Sequence, residues 1–215
     1  TLKLGKVPFY CAAWSNIRSV RNAIKCGFRP AWVELTARES EFVDEINGMN
    51  TDFCLSYLIK SEFFQYSEAL FEILSCNMEK IAPTGNSKDE DYRCWSEAVS
   101  EGLSRDERQI ILIKDKNELI GFFHFYIRDN TFMMEEIQIK PDYQGKNTFR
   151  SLYGFLLANL GKDIEYVEAY ANKKNERSIG ILGHLGLSVI GTNKNGNSYH
   201  FKGKYSDLVG WFNSK

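Results

Sequence analysis

Glu135 to Leu157 reads EEIQIKPDYQGKNTFRSLYGFLL, and this stretch decides the fold. It reads as a buried strand over Glu135 to Lys140, a stop at Pro141, a polar turn containing Gly145, and an amphipathic helix. A strand that runs through such a turn into a helix aims the turn's free N–H groups at one spot. The helix dipole adds partial positive charge there, so the spot suits phosphate. An ordinary strand-to-helix connection has the same outline, so the segment is read together with its neighbours.

Upstream, Phe132 to Lys140 extends the strand, and Glu118 to Arg128 (ELIGFFHFYIR) and Gln109 to Lys114 (QIILIK) precede it as two more. Turns at Asp129-Asn130 and at Asp115 to Asn117 join them. Before these, Phe63 to Lys80 carries Phe64, Ala69, Leu70, Ile73, Leu74 and Met78 at helical spacing. Pro83 to Asp91 reads as a polar loop and Tyr92 to Leu103 as a second helix. Downstream, the helix after the turn runs to about Leu160. A strand follows at Ile164 to Ala171, a helix at Ser178 to Leu185, two strands at Leu187 to Gly191 and Ser198 to Gly203, and a short helix at Asp207 to Phe212. Helices, then a meander, then strand–helix–strand–helix–strands predict an α/β fold with a mixed α+β sheet.

The chain has 215 residues and a formal net charge of -1, with no block of like charges. That argues against a nucleic-acid footprint or a polybasic membrane patch. No apolar run approaches the roughly 20 residues of a membrane span. Cys11, Cys26, Cys54, Cys76 and Cys94 are odd in number and form no Cys-x-x-Cys pair, and His124, His184 and His200 are scattered. Neither a disulfide framework nor a metal site is expected, and reduced thiols suit a cytoplasmic location. The opening TLKLGKVPFY carries no signal-peptide pattern.

A second pattern strengthens the first. In NERSIGILGHLGL, Asn175 to Leu187, an Asn opens a helix, Ser178 follows, and Gly186 closes it. Asn caps a helix, and Gly takes the left-handed position after its end. The same register recurs in NIRSVRNAIKCGF, Asn16 to Phe28: Gly27 follows Asn16 by the same interval as Gly186 follows Asn175. Both copies follow a strand-like run, which argues for a repeated unit over two unrelated capped helices.

Together, the Glu135 to Leu157 segment and the Asn175 to Leu187 pattern resemble the GNAT superfamily of acetyl-CoA-dependent N-acetyltransferases. Residues 50–215 look like a complete domain of that fold. Residues 1–47 look like the last third of another, with a boundary at Asn47 to Asn50. Such a short piece can scarcely build its own core. It reads as a packing element or a tandem remnant, and Gly48-Met49 reads as a junction or the start of a separate reading frame.

The resemblance implies acetyl-CoA as co-substrate and no metal. Ile137, Gln138 and Ile139 would offer backbone groups to the pantetheine arm, and Asn175 would reach the cofactor. The pyrophosphate loop would be Gln144, Gly145, Lys146, Asn147, Thr148 and Phe149, followed by Arg150. Family glycines are replaced here by Asn147 and Phe149. Asn tolerates left-handed geometry. Phe149 either obstructs the phosphates or turns into the core while Lys146 and Arg150 supply charge.

Transfer to an amine needs a base, and an acid helps the thiolate leave. Glu135 and Glu136 lie on the strand just before the pantetheine segment, and Glu135 matches where several family members carry a glutamate. Neighbours on a strand face opposite sides, so one of them is expected to face the acceptor, and Glu135 is favoured. Glu168 on the next strand is a second candidate. The family's acid is a Tyr at the position held here by Leu182, so Tyr170, His184 or Tyr199 would substitute, or no acid acts.

The expected function is therefore acetyl transfer to a primary amine of a small molecule or peptide, with a homodimer left open. The alternative is a degenerate module that binds acyl-CoA or a protein partner without turnover. Glu62, Glu68 and Glu72 either attract a cationic acceptor or form a solvated helix face.

Overall fold

The computed structural model describes residues 53–105, 107–161 and 163–213, together with Lys25. Lys25 apart, these lie in the second of the two units into which the chain divides, Val43–Lys215. The expectations for residues 1–47, for the Asn16 to Phe28 pattern and for the Asn47 to Asn50 boundary lie outside the described residues.

The elements follow the expected order. β1 (Cys54–Tyr57) leads into helices α1 (Phe63–Met78) and α2 (Lys88–Leu103). The meander of β2 (Arg108–Asp115), β3 (Glu118–Arg128) and β4 (Thr131–Ile139) follows. After it come α3 (Thr148–Asn159), β5 (Tyr166–Asn172), α4 (Glu176–His184), β6 (Ser188–Thr192), β7 (Ser198–Lys204) and α5 (Tyr205–Asn213). The strands form one sheet in the order β1-β2-β3-β4-β5-β7-β6. Among the described strands, β4 with β5 is the one parallel pair. The fold is mixed α/β, as the element pattern predicts.

The turns carry their own chemistry. Asp129 and Asn130 both take positive φ, 48° and 59°, which a two-residue hairpin turn requires and which Asp and Asn tolerate. At the end of α4, Gly186 takes φ 85°. Leu187 N–H then donates to the Leu182 carbonyl at 3.1 Å, closing the helix with the expected glycine motif.

Two expectations need correction. α2 begins at Lys88, inside the stretch read as a polar loop, because Ser87 caps it by accepting from Glu90 N–H and Asp89, Glu90 and Asp91 complement the dipole. β1 had no signal in the sequence; its four residues are held in place by pairing with β2, from Cys54↔Lys114 to Tyr57↔Ile111.

The sheet is buried on both faces at its centre. On one face α1 and α2 pack Phe63, Leu70, Val99 and Leu103 against Ile110, Leu112 and Phe122. On the other, Leu152, Phe155, Leu156, Leu182, Leu208 and Phe212 pack against Phe123, Phe125, Phe132 and Met134. β3 contributes to both, which is why its sequence is a continuous apolar run. Among the described residues, no helix is long and apolar enough to cross a membrane.

Gly121 of β3 sits opposite Ile139 of β4. A Cβ there would lie 2.5 Å from the Gln138 carbonyl oxygen and 3.2 Å from Ile139 Cα. Backbone cannot swing aside as a side chain can. Gly121→Ala is therefore expected to destabilise the fold by about 2 kcal/mol. Urea unfolding monitored by circular dichroism measures the loss.

Candidate active site

β4 has two neighbours, and they hold it over different lengths. β3 pairs with it from Thr131 to Ile139. β5 pairs with it only from Thr131↔Tyr166 to Met134↔Ala169. Beyond that point β5 stays with β7 through Asn172, so the two parallel strands part. Glu135 and Tyr170 are the first residues past the last pair, one on each side of the fork.

A bulge accompanies the parting. The β3–β4 register runs His124↔Glu136 and then Phe125↔Met134, leaving Glu135 as the extra residue. A bulge turns its strand and interrupts the alternation of faces. The expectation that Glu135 and Glu136, as strand neighbours, face opposite sides is therefore overturned. Glu135 pairs with Arg108, whose side chain packs along Gly102 of α2. Glu136 accepts from the Trp95 indole of α2 at 3.4 Å. Both carboxylates lie on the α1–α2 side of the sheet.

Their surroundings differ. Burial pushes the Glu135 carboxyl above its usual range, and the Arg108 guanidinium works against that shift. For Glu136 burial raises the carboxyl to about 7, opposed by hydrogen bonds from Trp95 and Gln138 and reinforced by the Glu135 charge. The Gln138 amide donates to Glu136 Oε1 at 3.3 Å. His124 is buried beside them, with Nε2 3.3 Å from Glu135 Oε2 but not aligned as a hydrogen bond. Burial and then the Arg108 charge hold His124 down at about 4, so it is neutral near pH 7.

Across the fork, Tyr170 is 46% exposed and stacks on His200, with ring centroids 4.4 Å apart. Glu168, the second candidate base, is occupied: it accepts from His200 at 2.9 Å and Lys202 at 2.8 Å. Partial burial alone would raise its carboxyl, but hydrogen bonds from Lys202 and His200 hold it below its usual range. Among the other acid candidates, His184 is exposed in the last turn of α4. Tyr199 packs on the core with Lys173 over its ring. Leu182, at the family's Tyr position, is a core residue. Glu72 pairs with Lys88 on the helix surface, Glu62 is half-buried and Glu68 is exposed.

The loop between β4 and α3 has the form a phosphate needs. Gly145 and Asn147 take φ 86° and 59°. The Asn147 side chain does not cap α3, so the first N–H groups of the helix point into the loop. Thr148 Oγ1 turns back to donate to the Tyr143 carbonyl at 2.9 Å. Phe149 packs on the core beside Tyr153, ring centroids 5.5 Å apart. Of the expected cations, Lys146 lies over the Tyr143 ring and Arg150 over the Phe212 ring, each at 5.2 Å. A different cation reaches the loop. Arg177, in the first turn of α4, donates to Gln144 Oε1. Asn175 caps α4 by accepting from Ser178 N–H at 3.1 Å.

The segment expected to meet the pantetheine arm is partly engaged. The Ile139 carbonyl accepts from Gln144 Nε2 at 2.8 Å and from Asn77 Nδ2 at 3.1 Å. Past Met134, β4 turns toward the fork an edge that no longer pairs with β5, at the positions of Glu135, Ile137 and Ile139. That free edge, the uncapped helix start and the two left-handed loop residues fit an extended amide-bearing arm ending in phosphates. Among the described residues, no group of three or more His, Cys, Asp or Glu could hold a metal ion. Trp95, Arg108, His124, Asn77 and Arg177 were not singled out in the sequence. Each arrives from a separate element, and only their meeting marks them.

Residues 67–187 match the acetyltransferase (GNAT) family. No curated protein sequence matches the chain. Among solved structures, the PaiA N-acetyltransferase of Thermoplasma acidophilum in complex with coenzyme A is similar, at 18% identity and TM-score 0.57, over 71% of this chain and 99% of that one. An acetyltransferase from Thermus thermophilus matches at 13% identity and TM-score 0.56, over 71% and 96%. A spermidine N-acetyltransferase SpeG chimera from Vibrio cholerae and hSSAT matches at 16% and 0.52, over 74% and 99%. At these identities the likeness is one of fold.

The Glu136 carboxyl has a pH signature in stability. Its folded value of about 7 lies above the ordinary 4.5, so between those values the folded chain keeps a proton that the unfolded chain has lost. Stability contributed by this group is present below that window and falls as pH rises through it. Glu136→Gln, uncharged and of the same shape, removes the fall. At pH 8 the variant is expected to melt several degrees above the parent, with the gap closing below pH 5. Calorimetry across pH 4.5 to 8 reads the difference; parallel curves would show that Glu136 ionises freely in the fold.

Proposed function

Because the chain belongs to the GNAT acetyltransferase family, we propose that it transfers an acetyl group from acetyl-CoA to a primary amine of a small molecule or peptide. The proposal rests above all on one observation: two carboxylates of unequal environment stand on the same side of the fork, where the cofactor strand parts from its neighbour.

When bound, acetyl-CoA supplies the electrophilic thioester carbonyl. Ile137 and its neighbours on β4 would align the pantetheine arm through backbone groups, and Gly145 to Thr148 with the start of α3 would hold the pyrophosphate. Arg177, now on Gln144, stands where a phosphate would compete for its guanidinium. Asn175 is spent on its helix cap and serves the site by fixing the start of α4.

The acceptor arrives as an ammonium ion and must lose a proton to attack. Glu136 is the base in this reading. Its carboxylate is bound by an indole and an amide, and its proton affinity near neutrality suits a group that must both take up and release a proton at pH 7. Glu135, tied to Arg108, keeps negative charge beside it and favours a cationic acceptor at the mouth. Tyr170, exposed at the other side of the fork, is the proton donor to the departing thiolate.

The rival reading, a module that binds without turnover, draws on Leu182 standing in the core at the family's Tyr position. Two measurements separate them. Acetyl-CoA at a hundred times its dissociation constant is expected to stabilise the protein by about 2.7 kcal/mol, seen as a rise in melting temperature. With an amine panel including polyamines and peptide N-termini, acetylation followed by thiol release is expected, and Glu136→Gln is expected to lower kcat about a hundredfold. Stabilisation without thiol release from any amine favours the binding module.

A further inference from the structure

On the reading that Glu136 is the base, we propose that the Gln138 side chain is a positioning residue that favours the ionised form of Glu136, and that Asn77 of α1 fixes which end of the Gln138 amide faces it. The reasoning starts from a group that cannot turn round. The backbone carbonyl of Ile139 only accepts, and Asn77 donates to it through Nδ2 at 3.1 Å. The Asn77 amide is thereby oriented. The same Nδ2 reaches Gln138 at 2.9 Å, so Gln138 must present its oxygen there. Its NH2 group is left to donate to Glu136 Oε1, at 3.3 Å. The two ends of an amide side chain are normally hard to tell apart, and here a backbone oxygen decides between them.

The consequence falls on Glu136. Gln138 is 8% exposed, so its donor is not interchangeable with water. A donor held against a buried carboxylate favours the charged form, and an acceptor in the same place would disfavour it. The Trp95 indole supplies the second donor. The titratable groups around Glu136 are Glu135 on its own strand, His124 opposite it on β3, and Arg108 of β2 on Glu135. The Ile139 carbonyl also accepts from Gln144 of the cofactor loop. One backbone oxygen thus anchors both the loop and the amide chain that ends on the base.

The test is a pH titration of the full chain by NMR, following the Glu136 carboxyl carbon, assigned with Glu136→Gln, and the Trp95 indole. Gln138→Met is expected to raise the Glu136 midpoint by roughly one pH unit. Asn77→Asp turns a donor into an acceptor, so Gln138 is expected to reverse and raise the midpoint as well. A new charge at that position could act directly, and a double-mutant cycle removes this ambiguity: in the Gln138→Met background Asn77→Asp is expected to have much less effect. A midpoint unmoved by Gln138→Met, or an equal Asn77→Asp effect in both backgrounds, overturns the proposal. If Gln138→Met fails to fold, the parent protein still decides. The Gln138 amide resonances must titrate with the Glu136 carboxyl, and independent titration overturns the proposal. Midpoints that behave as expected in a protein without acetyl transfer would refute the proposed function and leave this inference standing.

Discussion

The fork between β4 and β5 is the constraint on which the rest depends. A parallel pair held by hydrogen bonds up to Met134↔Ala169 cannot continue once β4 gains the extra residue Glu135 on its β3 side. The bulge turns the strand, and β5 remains with β7. Every candidate role is distributed around that parting: carboxylates at its apex, an exposed tyrosine across it, and the anion-suited loop at the far end of β4. Gly121 belongs to the same design, because β3 and β4 approach too closely there for any side chain.

A second consequence of the bulge is electrostatic. Two adjacent carboxylates placed on one partly dry face cannot be equally acidic. Arg108 offsets the burial of Glu135, whereas Glu136 has hydrogen-bond donors without a cation of its own. Environments that push two like groups apart divide the work between them, one holding charge and the other exchanging a proton. The orphaned Nε2 of His124 fits this arrangement. A protonated imidazole beside Arg108 would add a second buried cation, and burial keeps it neutral.

The elements were legible because their signals are local. The Asn175 cap, the Gly186 stop, the Asp129-Asn130 turn and the continuous apolar run of β3 each act within a few residues, and all appear in place. The pattern failed where a neighbour in space outvoted it. β1 exists by pairing with β2. Glu135 and Glu136 were read with strict alternation, and a one-residue bulge, which has no strong sequence signal, reversed the conclusion that one must face away. Lys146 and Arg150 are expected as phosphate ligands from their proximity to the helix start, and the sequence gives no sign that they lie over the rings of Tyr143 and Phe212.

By itself, then, the sequence determined the kind of fold, and its motifs carried the family resemblance: periodicity, caps and turn residues express short-range sterics and hydrogen bonding that operate wherever those residues stand. Only the tertiary structure decided the chemistry of the fork. Which glutamate keeps a proton depends on Trp95 from α2, Gln138 from β4 and Arg108 from β2 arriving around one bulge, and the orientation of Gln138 depends on Asn77 from α1. Proton affinity in a buried site is set by desolvation and by the few dipoles and charges within reach, and those come from parts of the chain that no local pattern relates.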